Sequence, residues 1–172
     1  MWNWDNVLKD YVTELTEPVD CIIPGRVLAQ GFIPTWASRV TNPETADQFA
    51  HKMVDTPKIV FTKTLNNADP EVIGWNNTSL AKGNIIEEIT QLKNQPGNDI
   101  IVYGGHDFVS NLIQHSLIDE YHLFVNPVVI GNGMSIWKDI KNRINLKLIK
   151  TTISSTGIVI LSYLPAGVQA AV

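Results

Sequence analysis

The stretch Asp99-Ile100-Ile101-Val102-Tyr103-Gly104-Gly105-His106-Asp107-Phe108 constrains this chain more than any other. A β-branched run stops at two glycines, and a helical apolar pattern follows at once, with Phe108, Val109, Leu112 and Ile113 on one face. A strand, a glycine turn and a helix start leave backbone N–H groups free to meet an anion, and the helix dipole favours negative charge there. Glycine matters because a Cβ would hold a ligand away or forbid the turn. Gly-Gly also ends many ordinary strands, so the motif alone leaves both readings open.

The rest of the chain repeats this alternation. Asn6 to Leu15 has helical spacing with Asp5 as cap, and Val19 to Ile23 reads as a short buried strand ended by Pro24-Gly25. Arg26 to about Gly31 starts a helix, and Phe32 to Trp36 reads as a loop around Pro34. Thr45 to Val54 is a predicted helix, Lys58 to Thr62 and Val72 to Trp75 are predicted strands, and Asn84 caps a helix to about Asn94. After the opening motif, a strand runs from Tyr121 to Ile130, interrupted near Pro127. Asn145 to Ser154 and Ile158 to Leu164 form a hairpin around Thr156-Gly157. Strands alternating with helices predict an α/β fold with a mostly parallel sheet, and the strand-rich last third predicts antiparallel additions. Residues 1–164 are expected to form one domain, and residues 165–172 a flexible tail.

Composition excludes several function classes. With 172 residues, 44% hydrophobic and 17% charged, the chain has the make-up of a globular domain. A net charge of −4 argues against nucleic acid as partner. Cys21 is the only cysteine, so no internal disulfide or Cys-rich metal site exists, and it reads as a small buried hydrophobe. The histidines at 51, 106, 115 and 122 lack metal-ligand spacing. No segment has the apolar length of a membrane span or signal peptide, and a cytoplasmic location is expected.

Three predicted strand ends carry anion-compatible chemistry. Gly25-Arg26 offers a close backbone approach and a guanidinium fork; Thr62-Lys63-Thr64 offers hydroxyls and an ammonium; Gly104-Gly105 offers amides. Arg26 and Lys63 also have a plain reading as solvated surface residues. Ligands of open α/β sheets sit beyond the carboxyl ends of the strands, so the coincidence carries the weight. The G-x-G-x-x-G fingerprint is absent.

Ile22-Ile23-Pro24-Gly25-Arg26, Ile101-Val102-Tyr103-Gly104-Gly105, and Leu117-Ile118-Asp119-Glu120-Tyr121 leading to Pro127-Val128-Val129-Ile130-Gly131-Asn132-Gly133 resemble the dihydrofolate reductase-like family. The likeness is greatest to the C-terminal reductase domain of bifunctional riboflavin biosynthesis proteins and its stand-alone relatives. It covers the chain from about Trp4 to Leu164. The resemblance implies a mixed, mostly parallel central sheet with flanking helices and an NADPH site at Gly25, Arg26, Val27, Thr62, Lys63, Gly104, Gly105, His106, Asp107 and Phe108. Arg26 and Lys63 suit the 2′-phosphate, while His106 and Asp107 are assigned backbone and capping roles. Relatives usually begin with a strand and a Leu-Asp-Gly-type loop, but this sequence starts at Met1-Trp2-Asn3-Trp4. A truncated or misassigned start is the expectation, because a missing central strand leaves backbone edges unpaired.

The implied activity is hydride transfer from NADPH to a pyrimidine- or pterin-like heterocycle, first a phosphoribosylaminouracil-type reduction of riboflavin synthesis. Dihydrofolate reduction is the alternative, and a non-catalytic nucleotide-binding module the alternative of another class. Candidate substrate residues are Trp4, Asp5, Asp10, Phe32 and Trp36, each with a structural reading as cap, solvent-facing residue or core. No residue is identifiable as the proton donor. Asp119-Glu120 are adjacent on a strand, point to opposite faces and cannot share a proton. A homodimer is expected from the strand-rich last third.

Overall fold

The computed structural model describes residues 4–167. Along the chain run α1 (Asn6–Thr16), β1 (Val19–Ile22), α2 (Arg26–Thr41), α3 (Gln48–Asp55), β2 (Lys58–Phe61), α4 (Pro70–Ile73), β3 (Thr78–Ala81), α5 (Ile85–Lys93), β4 (Asp99–Ile101), α6 (His106–Gln114), β5 (Tyr121–Val125), β6 (Leu146–Ile153) and β7 (Val159–Pro165). The first four strands form a parallel sheet in the order β3-β2-β1-β4. The last three form an antiparallel sheet in the order β5-β7-β6. This is the mixed α/β architecture that the alternation predicts.

Burial explains the layers. A bulge between Val19 and Cys21 in β1 sends Val19 and Ile22 to one face and Cys21 and Ile23 to the other. Val19 and Ile22 pack with Met53 of α3 and with Phe32 and Trp36 of α2. Cys21 and Ile23 pack with Ile89 of α5 and Leu112 of α6. Burial there pushes the Cys21 thiol up to about 11, as suits an inert core residue. In the second sheet, Ile158 and Ile160 pack beneath Leu8, Tyr11 and Val12 of α1.

Three local predictions are corrected. Phe32 to Trp36 is not a loop: α2 runs through Pro34 to Thr41. Proline inside a helix costs about 3 kcal/mol. Here Pro34 is exposed while Ala29 and Ile33 are buried, and the packing of Phe32 and Trp36 outweighs the lost bond. Val72 to Trp75 is not a strand. Pro70 stands in the first turn of α4, and the strand is the more polar Thr78–Ala81, at the sheet edge where packing demands little. The strand from Tyr121 ends at Val125, short of Pro127, and Val128 to Ile130 are exposed beyond it. At the C-terminus, Pro165 closes β7 and Ala166 donates to the Asn145 carbonyl at 2.7 Å, so the ladder reaches past the predicted tail boundary. Residues 1–3 and 168–172 lie outside the described part. Among the described residues no helix is long and apolar enough to cross a membrane.

Candidate functional site

The strands β2, β1 and β4 are neighbours, so their carboxyl ends lie side by side, and direct contacts gather the three turns that follow them. Phe61, the last residue of β2, bridges to Gly25, and its N–H donates to the Pro24 carbonyl at 3.0 Å. Phe108 of α6 packs on Phe61 with ring centroids 5.3 Å apart. A Cβ on Gly25 would lie 3.0 Å from Phe108 Cβ and 3.2 Å from its Cγ. Glycine at 25 is therefore what lets the first and third turns touch.

The helix starts differ in a telling way. α1, α3 and α5 begin with Asp5, Asp47 and Asn84, whose side chains accept from first-turn amides. α2 and α6 begin with Gly25 and Gly105, which offer no side-chain cap. Gly105 sits at φ 80°, after Gly104 at φ 53°, a left-handed path that strains any residue with a Cβ. Two adjacent helix N-termini thus leave their first amides open to an anion.

The cations are held without carboxylate neutralisation. Arg26 Nη1 donates to Gln30 Oε1 at 3.2 Å, and Gln30 Nε2 donates to Glu71 Oε2 at 2.9 Å. Gln30 orients the fork, and Arg26 makes no ion pair among the described residues. Thr62 is buried, and its Oγ1 accepts from the amides of Thr64 at 3.1 Å and Leu65 at 3.0 Å. It shapes the turn, while Lys63 stands exposed upon it. Asp107 caps nothing, contrary to the capping role expected: the cap is Gly105, and the Asp107 carboxylate lies 3.1 Å from His106 Nε2 and accepts from Lys138 Nζ at 3.4 Å. Val27, in the first turn of α2, is exposed. Lys82 was missed. It follows β3, adds a cation to the same row of strand ends, and bonds Asn66 Oδ1 at 2.6 Å; misplacing that strand hid it.

The proposed substrate residues do not converge. Asp5 caps α1 through the Leu8 amide and also accepts from Ser154 and Ser155 in the β6–β7 turn. The Ser155 hydroxyl first, then the Leu8 amide, holds its carboxyl well below the usual range. Asp10 is exposed on α1. Trp4 stacks on Phe124 at 6.4 Å. Phe32 and Trp36 do reach the site's edge: Phe32 stacks at 5.6 Å on Tyr103, the residue before Gly104, and Trp36 lies against Phe32 and Phe49. The Tyr103 hydroxyl is buried without a partner, and burial pushes it up. Its position in the opening motif was the available signal.

A second polar cluster escaped the sequence. Tyr11 Oη lies 2.7 Å from His122 Nδ1 and 2.8 Å from Ser162 Oγ, while His122 Nε2 lies 3.2 Å from Glu120. Lys150 Nζ sits 5.3 Å from the Tyr11 ring. Burial first, with Lys150 adding to it against Glu120, holds His122 below its ordinary 6.5. The unfolded chain therefore binds this proton at a higher pH than the fold does. Stability should fall as pH drops below 6.5, by up to ~1.4 kcal/mol per pH unit until the folded value is reached. Thermal melts of the native protein and His122→Gln, at about pH 7.5 and about pH 5.5, check this: the variant should lose less on acidification.

Comparisons with known proteins agree with this geometry. The RibD C-terminal domain family matches residues 1–160. Uncharacterized protein YyaP of Bacillus subtilis (strain 168) is 34% identical over 154 residues, which cover 88% of this chain and 77% of that protein. A Shewanella sp. PV-4 structure named for riboflavin biosynthesis superposes with a TM-score of 0.72 at 21% identity, over 95% of this chain and 83% of that one. Dihydrofolate reductase from Enterococcus faecalis, complexed with NADP(H) and RAB-propyl, superposes with a TM-score of 0.58 at 14% identity, over 96% of this chain and 84% of that one. The chain belongs to the RibD C-terminal domain family and has a dihydrofolate reductase-like fold.

Proposed function

We propose that this protein is an NADPH-dependent reductase of a pyrimidine- or pterin-like heterocycle, first of a ribosylated aminouracil of the riboflavin type. One observation carries the reading: the turns after β1, β2 and β4 meet through Gly25, Phe61 and Phe108, with two glycine-capped helix starts and two cations beside them. The amides of α2 and α6 would hold the pyrophosphate, with Gly104 and Gly105 allowing its close approach. Arg26 and Lys63 would hold the 2′-phosphate. NADPH supplies a hydride when bound; the chain's part is to orient the two rings and exclude water. The relationship to RibD-type domains supports the aminouracil, and the E. faecalis complex supports the cofactor.

The test is turnover of aminouracils and pterins with NADPH, followed by its absorbance. Faster oxidation with a ribosylated aminouracil supports the reading, and oxidation only with dihydrofolate supports folate reduction. A second reading is a nucleotide-binding module without turnover, favoured by the diversion of Asp5 to the β6–β7 turn and the exposure of Asp10. Binding of NADPH with no turnover on any substrate selects it. We also propose a homodimer, since Val128, Val129, Ile130 and Met134 form an exposed apolar run beyond β5. Light scattering that returns a monomer contradicts this.

A further inference from the structure

β4 and β5 each keep one open edge, and both edges border a single cavity. β4 pairs only with β1, and β5 only with β7. Asp99 donates to the Pro18 carbonyl and Ile101 accepts from Ile23, so both turn their peptide groups toward β1. Alternation along a parallel strand turns those of Ile100 and Val102 outward. The cavity measures ≈ 1520 Å³, with Ile100 and Val102 on one side and His122 and Phe124 on the other. Cys21, from the layer under α5 and α6, reaches it, and so does Leu15 of α1 from the other layer. The space therefore passes through the plane of the sheets. Native cores hold few voids larger than one water, and open edges left in such a space are costly.

The walls define the occupant. Lys93, at the end of α5 before β4, pairs with Asp119 just before β5, so both strands start at the same end. Trp4 stacks on Phe124 near the finish of β5, so the polypeptide leading into Trp4 enters at the opposite end. We propose that the slot between β4 and β5 is filled by one extended segment leading into Trp4, parallel to both strands, which joins the two sheets into one. Spanning from Asp99 to Tyr103 takes roughly 16 Å of extended chain. Its side chains meet apolar layers on both faces, so the segment is a continuous apolar run. Glu14, Asp99 and Glu120 line the starting end, which suits a basic residue there.

Amide hydrogen exchange tests this without reference to dinucleotide binding. Three forms are compared: the 172-residue chain, the chain with a Lys-Val-Ile-Val-Ile-Val strand and a Gly-Ser loop joined ahead of Trp4, and the same extension with proline at alternate strand positions. The Ile100 and Val102 amides should exchange ~100-fold more slowly in the strand-bearing form, and the proline form should match the chain alone. If the chain alone does not fold, rescue by the strand and not by its proline version supports the proposal equally. Slow exchange of these amides in the monomeric 172-residue chain overturns it. Protection seen only on dimerisation assigns the slot to a second copy and also overturns it, as does a strand that protects or rescues nothing.

Discussion

Gly25→Val should weaken NADPH binding ~100-fold, the effect expected when binding groups shift by about an ångström. A single Cβ at this position already meets Phe108 Cβ at 3.0 Å. Valine adds two methyls, and Phe108 cannot retreat freely because Phe61 packs on it. Overpacking of this kind costs about 1–3 kcal/mol of stability. The relief is for the turns after β1 and β4 to part, which separates the amides of α2 from those of α6. Gly25→Ala should show the same effect in weaker form. Tryptophan fluorescence titration with NADPH, beside a thermal melt, checks both. Unchanged affinity in a folded Gly25→Val protein would mean that the two turns bind nothing together.

The second large effect lies in the cations. Arg26→Ala should weaken NADPH binding by about 10- to 100-fold, since a hydrogen bond to a charged group contributes about 1.5–3 kcal/mol. Lys63 stands exposed, so its loss should cost less, about 3- to 10-fold, and should shrink as salt rises. If these groups read the 2′-phosphate, both substitutions should leave NADH affinity nearly unchanged. Equal loss for NADH and NADPH would instead place Arg26 on the pyrophosphate. Titrations with each nucleotide in low and high salt separate these outcomes.

How much was legible follows from where the information lay. The three turns could be read because each pairs a strand end with glycine or a cation, a local signal. That Gly25 touches Phe108 is a contact across 83 residues of chain and no local pattern reports it. α2 was cut short because proline is a strong local breaker, while the packing that overrides it comes from Tyr103 and Met53 far along the chain. The polar strand Thr78–Ala81 was invisible because an edge strand needs little apolar patterning. The tie of Tyr11 to His122 and Ser162 joins residues on three separate elements, and only the fold assembles it. Asp5 was read correctly as a cap, yet its bonds to Ser154 and Ser155 depend on the hairpin arriving there.

The central claim is that three turns form one dinucleotide site, and amide chemical shifts during an NADPH titration test it most directly. Residues Gly25 to Val27, Thr62 and Lys63, and Gly104 to Phe108 should shift together and fit one dissociation constant. Shifts at only one turn, different constants for different turns, or movement confined to the β4–β5 cavity would contradict it.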